Sequence, residues 1–118
     1  MNFGAGGIGA GAPPVLTDKG WLCIIHCVMP ACKTVIYTAG AMLLDREDPR
    51  KVLGTTDGPI LTPTEDYEIN GLVPTVVFPC GAVPEPDGTL KIYYGAADRV
   101  TALATARTDE LVAACLAD

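Results

Sequence analysis

His26 is the only histidine in the chain, and Cys23, Cys27 and Cys32 crowd around it. Histidine and cysteine in one short stretch are the raw material of a zinc site. The spacing points elsewhere. A zinc finger or ribbon needs a C-x-x-C knuckle and a second matching pair, and this stretch has neither. If it forms a strand, Cys23 and Cys27 share one face and His26 points from the other. Cys80 and Cys115 bring the cysteine count to an odd 5. With no export signal at the N-terminus, free thiols and no metal are the expectation. Gly4-Ala5-Gly6-Gly7-Ile8-Gly9 offers a second chemistry, because it matches the G-x-G-x-x-G dinucleotide fingerprint. That fingerprint needs a strand before it and a helix starting inside it. Three residues are too few for the strand, and Pro13-Pro14 cannot carry the helix. The expectation there is a loop.

The elements that must hold these residues read as strands. Residues 21–29 form an apolar run expected to be a strand buried on both faces and ended by Pro30. Residues 34–44 continue as a second strand. Residues 45–50 make a charged turn, and Ile60-Leu61 is a short apolar piece. Thr75-Val76-Val77-Phe78 is β-branched and expected to stop at Pro79. Residues 84–88 are a turn, followed by strands over 89–95 and 100–106. Residues 108–116 read as a terminal helix, with Thr108 as cap and Asp109 and Glu110 at its positive end.

A repeat occurs at an offset of 68 residues. Gly20, Leu22 and Ile24 recur as Gly88, Leu90 and Ile92, and Val15 pairs with Val83. A strand rich in small residues follows each copy, then an acidic segment. Several antiparallel strands per repeat is how a β-propeller blade reads. Two such units fall short of the roughly four to eight blades of a closed ring.

The composition agrees with this. The chain has 118 residues, 49% hydrophobic and 19% charged, with 13 Gly and 10 Pro. That is one small domain, too apolar for a disordered tail and too rich in turn formers for a helical bundle. The net charge of −6, with no Lys/Arg run, argues against a nucleic-acid partner. No apolar run is long enough to span a bilayer, so no membrane association and a cytoplasmic location are expected.

Five motifs, in order, resemble the C-terminal third of family 130 glycoside phosphorylases, the β-mannoside phosphorylases. They are Ile8-Gly9-Ala10-Gly11-Ala12-Pro13-Pro14; Thr17 to Leu22 leading into Ile25-His26; Tyr37 with Gly40 to Asp45 and Glu47-Asp48-Pro49; Val73 to Ala82; and Ile92 to Asp98. The resemblance implies an all-β fold, about two blades of a five-bladed β-propeller, with a short C-terminal helix. The whole of 1–118 is then a single partial propeller domain: 8–60 one blade region, 61–107 the next, 108–118 the terminal helix. It also implies an inverting glycosyl transfer in which inorganic phosphate, a co-substrate and not a cofactor, cleaves a β-mannoside or manno-oligosaccharide to α-mannose 1-phosphate.

The resemblance carries over to four residues. His26 and Tyr37 stand on the phosphate side, Phe78 walls the sugar subsite, and Asp98 bonds sugar hydroxyls. Trp21, beginning a strand, is expected in the core. A phosphate dianion must be met by several donors or cations, and the leaving oxygen needs a proton. The general acid and the phosphate-binding arginines belong to the N-terminal part of the family, so no catalytic residue is assigned here. Gly7 stands where the family has Lys, Ile25 and Cys27 replace a Tyr and a Gly beside the histidine, and Thr75 replaces an Asn. The chain is therefore expected to be a fragment, incomplete alone. N-terminal blades or copies of itself are its expected partners. A non-catalytic carbohydrate-binding or assembly module and one half of a split enzyme are the alternatives.

Overall fold

A computed structural model describes residues 8–31, 34–61, 77–97 and 100–117. They build two antiparallel sheets and one helix. The first sheet holds β1 (Ile8–Ala10), β2 (Val15–Thr17), β3 (Gly20–Ala31), β4 (Thr34–Leu44) and β5 (Val52–Thr55). β1 and β2 follow one another along one edge of β3, and β4 and then β5 lie on its other side. The second sheet has the order β6 (Val77–Pro84), β7 (Thr89–Ala96), β8 (Val100–Arg107). α1 (Thr108–Leu116) follows directly.

The sheets meet face to face because their alternation places apolar side chains on the facing sides. Leu22 and Ile24 of β3, paired with Leu43 and Ala41 of β4, pack with Leu90 and Ile92 of β7 in one core. Small residues let the layers close: Ala39 and Ala41 are fully buried on β4, and Ala102, Ala104 and Ala106 of β8 pack on the core. β3 is buried on its other face too, where Ile25 and Cys27 cluster with Cys23 and Met42. This is the doubly buried strand expected from the sequence. The outer face of the second sheet leaves Val83, Tyr93 and Leu103 exposed.

The two hairpins differ by one position. Gly20 opens β3 and Gly88 immediately precedes β7, with φ of 146° and 89°, a backbone region that favours glycine. Thr17 pairs with Gly20, but Pro84 pairs with Leu90. Val15 therefore faces Leu22 and is buried, whereas Val83 faces Lys91 and is exposed. The Val15/Val83 equivalence does not hold, although Gly20 and Gly88 play the same part.

Three further expectations are corrected. β3 does not end at Pro30, which pairs with Val35. Among the described residues β1 reaches only as far as Cys27, so that end of β3 is an edge, where proline is tolerated. β6 runs through Pro79, also on an edge strand, and a bulge between Pro79 and Gly81 takes up Cys80. Thr108 is the first helical residue and not the cap. Arg107 is the N-cap, without a side-chain bond, and the Thr108 N–H donates to Gly88 O at 3.0 Å. Asp109 and Glu110 do occupy the first turn. β1, β2 and β5 are strands that the sequence pattern does not announce.

α1 joins the layers. Leu111, Val112 and Cys115 are buried in the common core. The helix end lies so close to β5 that a Cβ on Gly54 would overlap the Cys115 carbonyl oxygen. No helix among the described residues is long and apolar enough to cross a membrane.

Candidate functional site

Three of the four predicted site residues converge. β3 brings His26, β4 brings Tyr37 and β6 brings Phe78. The imidazole stacks on the Phe78 ring with centroids 4.4 Å apart and planes at 28°. The Tyr37 ring stands 6.3 Å from His26 and 6.4 Å from Phe78. Phe78 is 40% exposed, so the group is an open aromatic corner, not a sealed core. Asp98 lies outside the described residues. Trp21 sits at the far end of β3, where its Nε1–H donates to Arg46 O at 3.3 Å, well away from this corner.

The orientation of His26 is fixed by the backbone. Nδ1 lies 3.1 Å from Ala10 O. A carbonyl only accepts, so Nδ1 carries the hydrogen. Among the described residues nothing bonds Nε2. A neutral ring therefore presents a lone pair there, and a doubly protonated ring presents an N–H. Only the second can donate to an anion, and then as a charge-assisted bond.

Two of the cysteines lie away from this corner. Cys23 and Cys27 cluster on the opposite face of β3, as strand parity required. Burial pushes both thiols up, away from the thiolate form that reacts or binds metal. Cys23, Cys27, Cys80 and Cys115 are free thiols.

A cavity of about 530 Å³ opens at the other end of the molecule between the β2–β3 turn and α1. Val112, Ala113 and Leu116 line it, and its charged rim is mixed, with Lys19 and Arg107 against Asp18 and Asp109. Arg107 is already engaged there, donating to Asp87 O at 2.9 Å. The aromatic corner, with its oriented imidazole, is the better candidate.

Sequence reasoning misses Gly9 and the Ala10 carbonyl as parts of this site, because Gly9 reads there as a member of the false dinucleotide motif. The signal that finds it is the pairing register, which sets Gly9 opposite His26.

Comparison with known proteins gives this geometry a family context. A family model described as beta-1,4-mannooligosaccharide phosphorylase matches residues 5–116. A β-1,2-mannobiose phosphorylase of Thermoanaerobacter sp. strain X514 is 50% identical over 91 residues, which cover 77% of this chain and 29% of that protein. A β-1,4-mannooligosaccharide phosphorylase of Ruminococcus albus is 39% identical over 106 residues, 89% of this chain and 32% of the relative. The solved structure of β-1,2-mannobiose phosphorylase from Listeria innocua, in complex with β-1,2-mannobiose, superposes with a TM-score of 0.87 at 41% identity, covering 96% of this chain and 31% of that one. The solved relatives are five-bladed propellers, and this chain spans about 30% of their length. Its two sheets are thus two blades of that fold.

Proposed function

This chain belongs to the β-1,4-mannooligosaccharide phosphorylase family, family 130, and on that premise we propose that it forms the phosphate-side wall of a site that cleaves β-mannosides with inorganic phosphate. In the reaction an oxygen of phosphate bonds to C1 of mannose as the C1–O glycosidic bond breaks, with inversion, and the product is α-mannose 1-phosphate. The departing oxygen takes its proton from a general acid that is not among this chain's assigned residues. His26 donates from Nε2 to phosphate, Tyr37 stands beside it as a further donor, and Phe78 offers an apolar face to the sugar. Asp98 is assigned to sugar hydroxyls. Phosphate enters as co-substrate, and no cofactor or metal is invoked. The remaining blades come from another stretch of polypeptide, and the division into a first blade region over 8–60, a second over 61–107 and a terminal helix over 108–118 is retained.

What carries this reading is the bond from Nδ1 to Ala10 O, which leaves Nε2 as the ring nitrogen without a partner among the described residues, on a ring set beside two aromatic rings. Desolvated, pre-aimed donors are what an attacking anion requires. Calorimetric titration of the full chain with inorganic phosphate, and separately with β-mannobiose, tests it. Saturable phosphate binding that His26→Ala removes is the expected result. Adding the N-terminal blades of a family member should then give phosphate-dependent release of mannose 1-phosphate. Saturable mannoside binding with no phosphate binding would overturn the reading in favour of a carbohydrate-binding module, which the open face of Phe78 suits.

A further inference from the structure

We infer that Gly9 is a positioning residue for His26: its bare backbone forms one wall of a slot that fixes which ring nitrogen faces the phosphate. The inference rests on the phosphate-side reading of His26 and extends it to a residue with no polar side chain.

Gly9 and His26 are direct partners in the β1–β3 register, so their side-chain positions lie next to each other on one face of the sheet. The imidazole uses that vacancy. A Cβ built on Gly9 would fall on Cε1 and Nε2 of His26 and lie 3.2 Å from Nδ1. The ring therefore lies across β1, over the Gly9 backbone. Its other face meets Phe78 at 4.4 Å, and its inner edge donates from Nδ1 to Ala10 O. The Gly9 backbone, the Phe78 ring and the Ala10 carbonyl together hold the imidazole, and Nε2 is the ring nitrogen left without a bond among the described residues. Any side chain at position 9 must eject the ring. Since the Ala10 bond holds only while the ring lies flat, ejection also releases the tautomer. Glycine alone lets the ring keep this place, which accounts for the residue without any dinucleotide site.

Because His26 is the only histidine, its ring can be read alone in the full chain by ¹H–¹⁵N correlation of the imidazole. In the wild type the neutral ring should show a protonated Nδ1 and an unprotonated Nε2, and Gly9 Hα protons should show strong nuclear Overhauser contacts to Hε1. Gly9→Ala should shift the neutral ring toward the Nε2–H form. Losing one charge-assisted bond should also weaken inorganic phosphate binding roughly 10- to 100-fold. Gly58→Ala, where an added Cβ meets nothing within 4 Å, is the control and should change neither. A Gly9→Ala protein that keeps the Nδ1–H tautomer and binds phosphate within about twofold of wild type, well short of the loss of a charge-assisted bond, overturns the inference. If Gly9→Ala does not fold, absence of the Gly9–His26 contacts in the wild type overturns it instead. A wild type with the expected tautomer and contacts but no phosphate binding supports Gly9 as the ring's holder and refutes the phosphate reading.

Discussion

Gly54→Ala tests whether α1 is clamped to the first blade as the packing requires. A Cβ at this position would overlap the Cys115 carbonyl oxygen and lie 2.8 Å from its carbon. Both obstacles are backbone, so no side-chain rotation relieves them. The end of the helix must back away from β5, and Val112 and Cys115, now 6% and 2% exposed, lose part of their contact with the core. Overpacking against rigid neighbours costs about 1–3 kcal/mol, and the absence of a flexible partner sets the value near the upper end. With a urea m-value of roughly 1.5 kcal/mol/M, the midpoint should fall by about 2 M. Urea unfolding followed by far-ultraviolet circular dichroism measures this, with Gly58→Ala as the unobstructed control. A thiol reagent at mildly alkaline pH gives a local readout. Burial, with a smaller contribution from Cys23, pushes the Cys115 thiol up to about 11, so it should be inert in the wild type. It should react roughly tenfold faster once the helix end lifts. A midpoint unchanged by the substitution, together with an inert Cys115, would refute the clamp.

Alkaline pH should destabilise the fold. The folded chain holds the Cys115 proton more tightly than the unfolded chain, whose thiol titrates near 9.0. The contribution is therefore intact below about pH 9 and lost as pH rises toward about 11. It is on the order of 2 kcal/mol, and urea midpoints of wild type and Cys115→Ala across that range should show the shallower slope in the variant. Some slope should remain, because Cys23 and Cys27 are pushed the same way by burial. Leu43→Ala removes a fully buried side chain between the two sheets and should cost about 2–5 kcal/mol in the same assay; a loss under about 1 kcal/mol would mean that the blades are not packed as described. Phe78→Ala removes one wall of the His26 slot. Phosphate affinity should drop about 2- to 10-fold, the worth of one aromatic stack, while the urea midpoint moves little; an unchanged affinity would show that the stack does not support the site.

Long periodic runs are legible in the sequence. β3, β4, β7, β8 and α1 each carry enough apolar residues for the period to declare itself. β1, β2 and β5 have three or four residues apiece and become strands only through pairing with β3 and β4, which no local pattern reveals. Pro30 and Pro79 mislead for a related reason. Proline ends a central strand, but whether a strand is central depends on neighbours remote in sequence. His26, Tyr37 and Phe78 are named through resemblance. What resemblance does not convey is the stack of His26 on Phe78 and the register that puts Gly9 beneath the ring, because both arise between strands far apart along the chain.

The charge map shows how far these residues go toward holding an anion. The described cations are Lys19, Arg46, Arg50, Lys51, Lys91 and Arg107. All of them lie in or beside the β2–β3, β4–β5 and β6–β7 turns or at the end of β8 that meets α1, the end of the sheets away from His26. Several are already committed: Arg50 to Asp48 at 2.9 Å, Lys91 to Glu85 at 3.3 Å and Arg107 to Asp109 at 3.6 Å. Among the described residues, then, His26 is the one group at the aromatic corner able to carry positive charge. A single imidazolium donor orients a phosphate but does not neutralise a dianion inside a chain of net charge −6. On the proposed reading, the corner aims the nucleophile. The rest of the charge that would hold it lies outside the described residues, and on this reading phosphate affinity should fall with added salt.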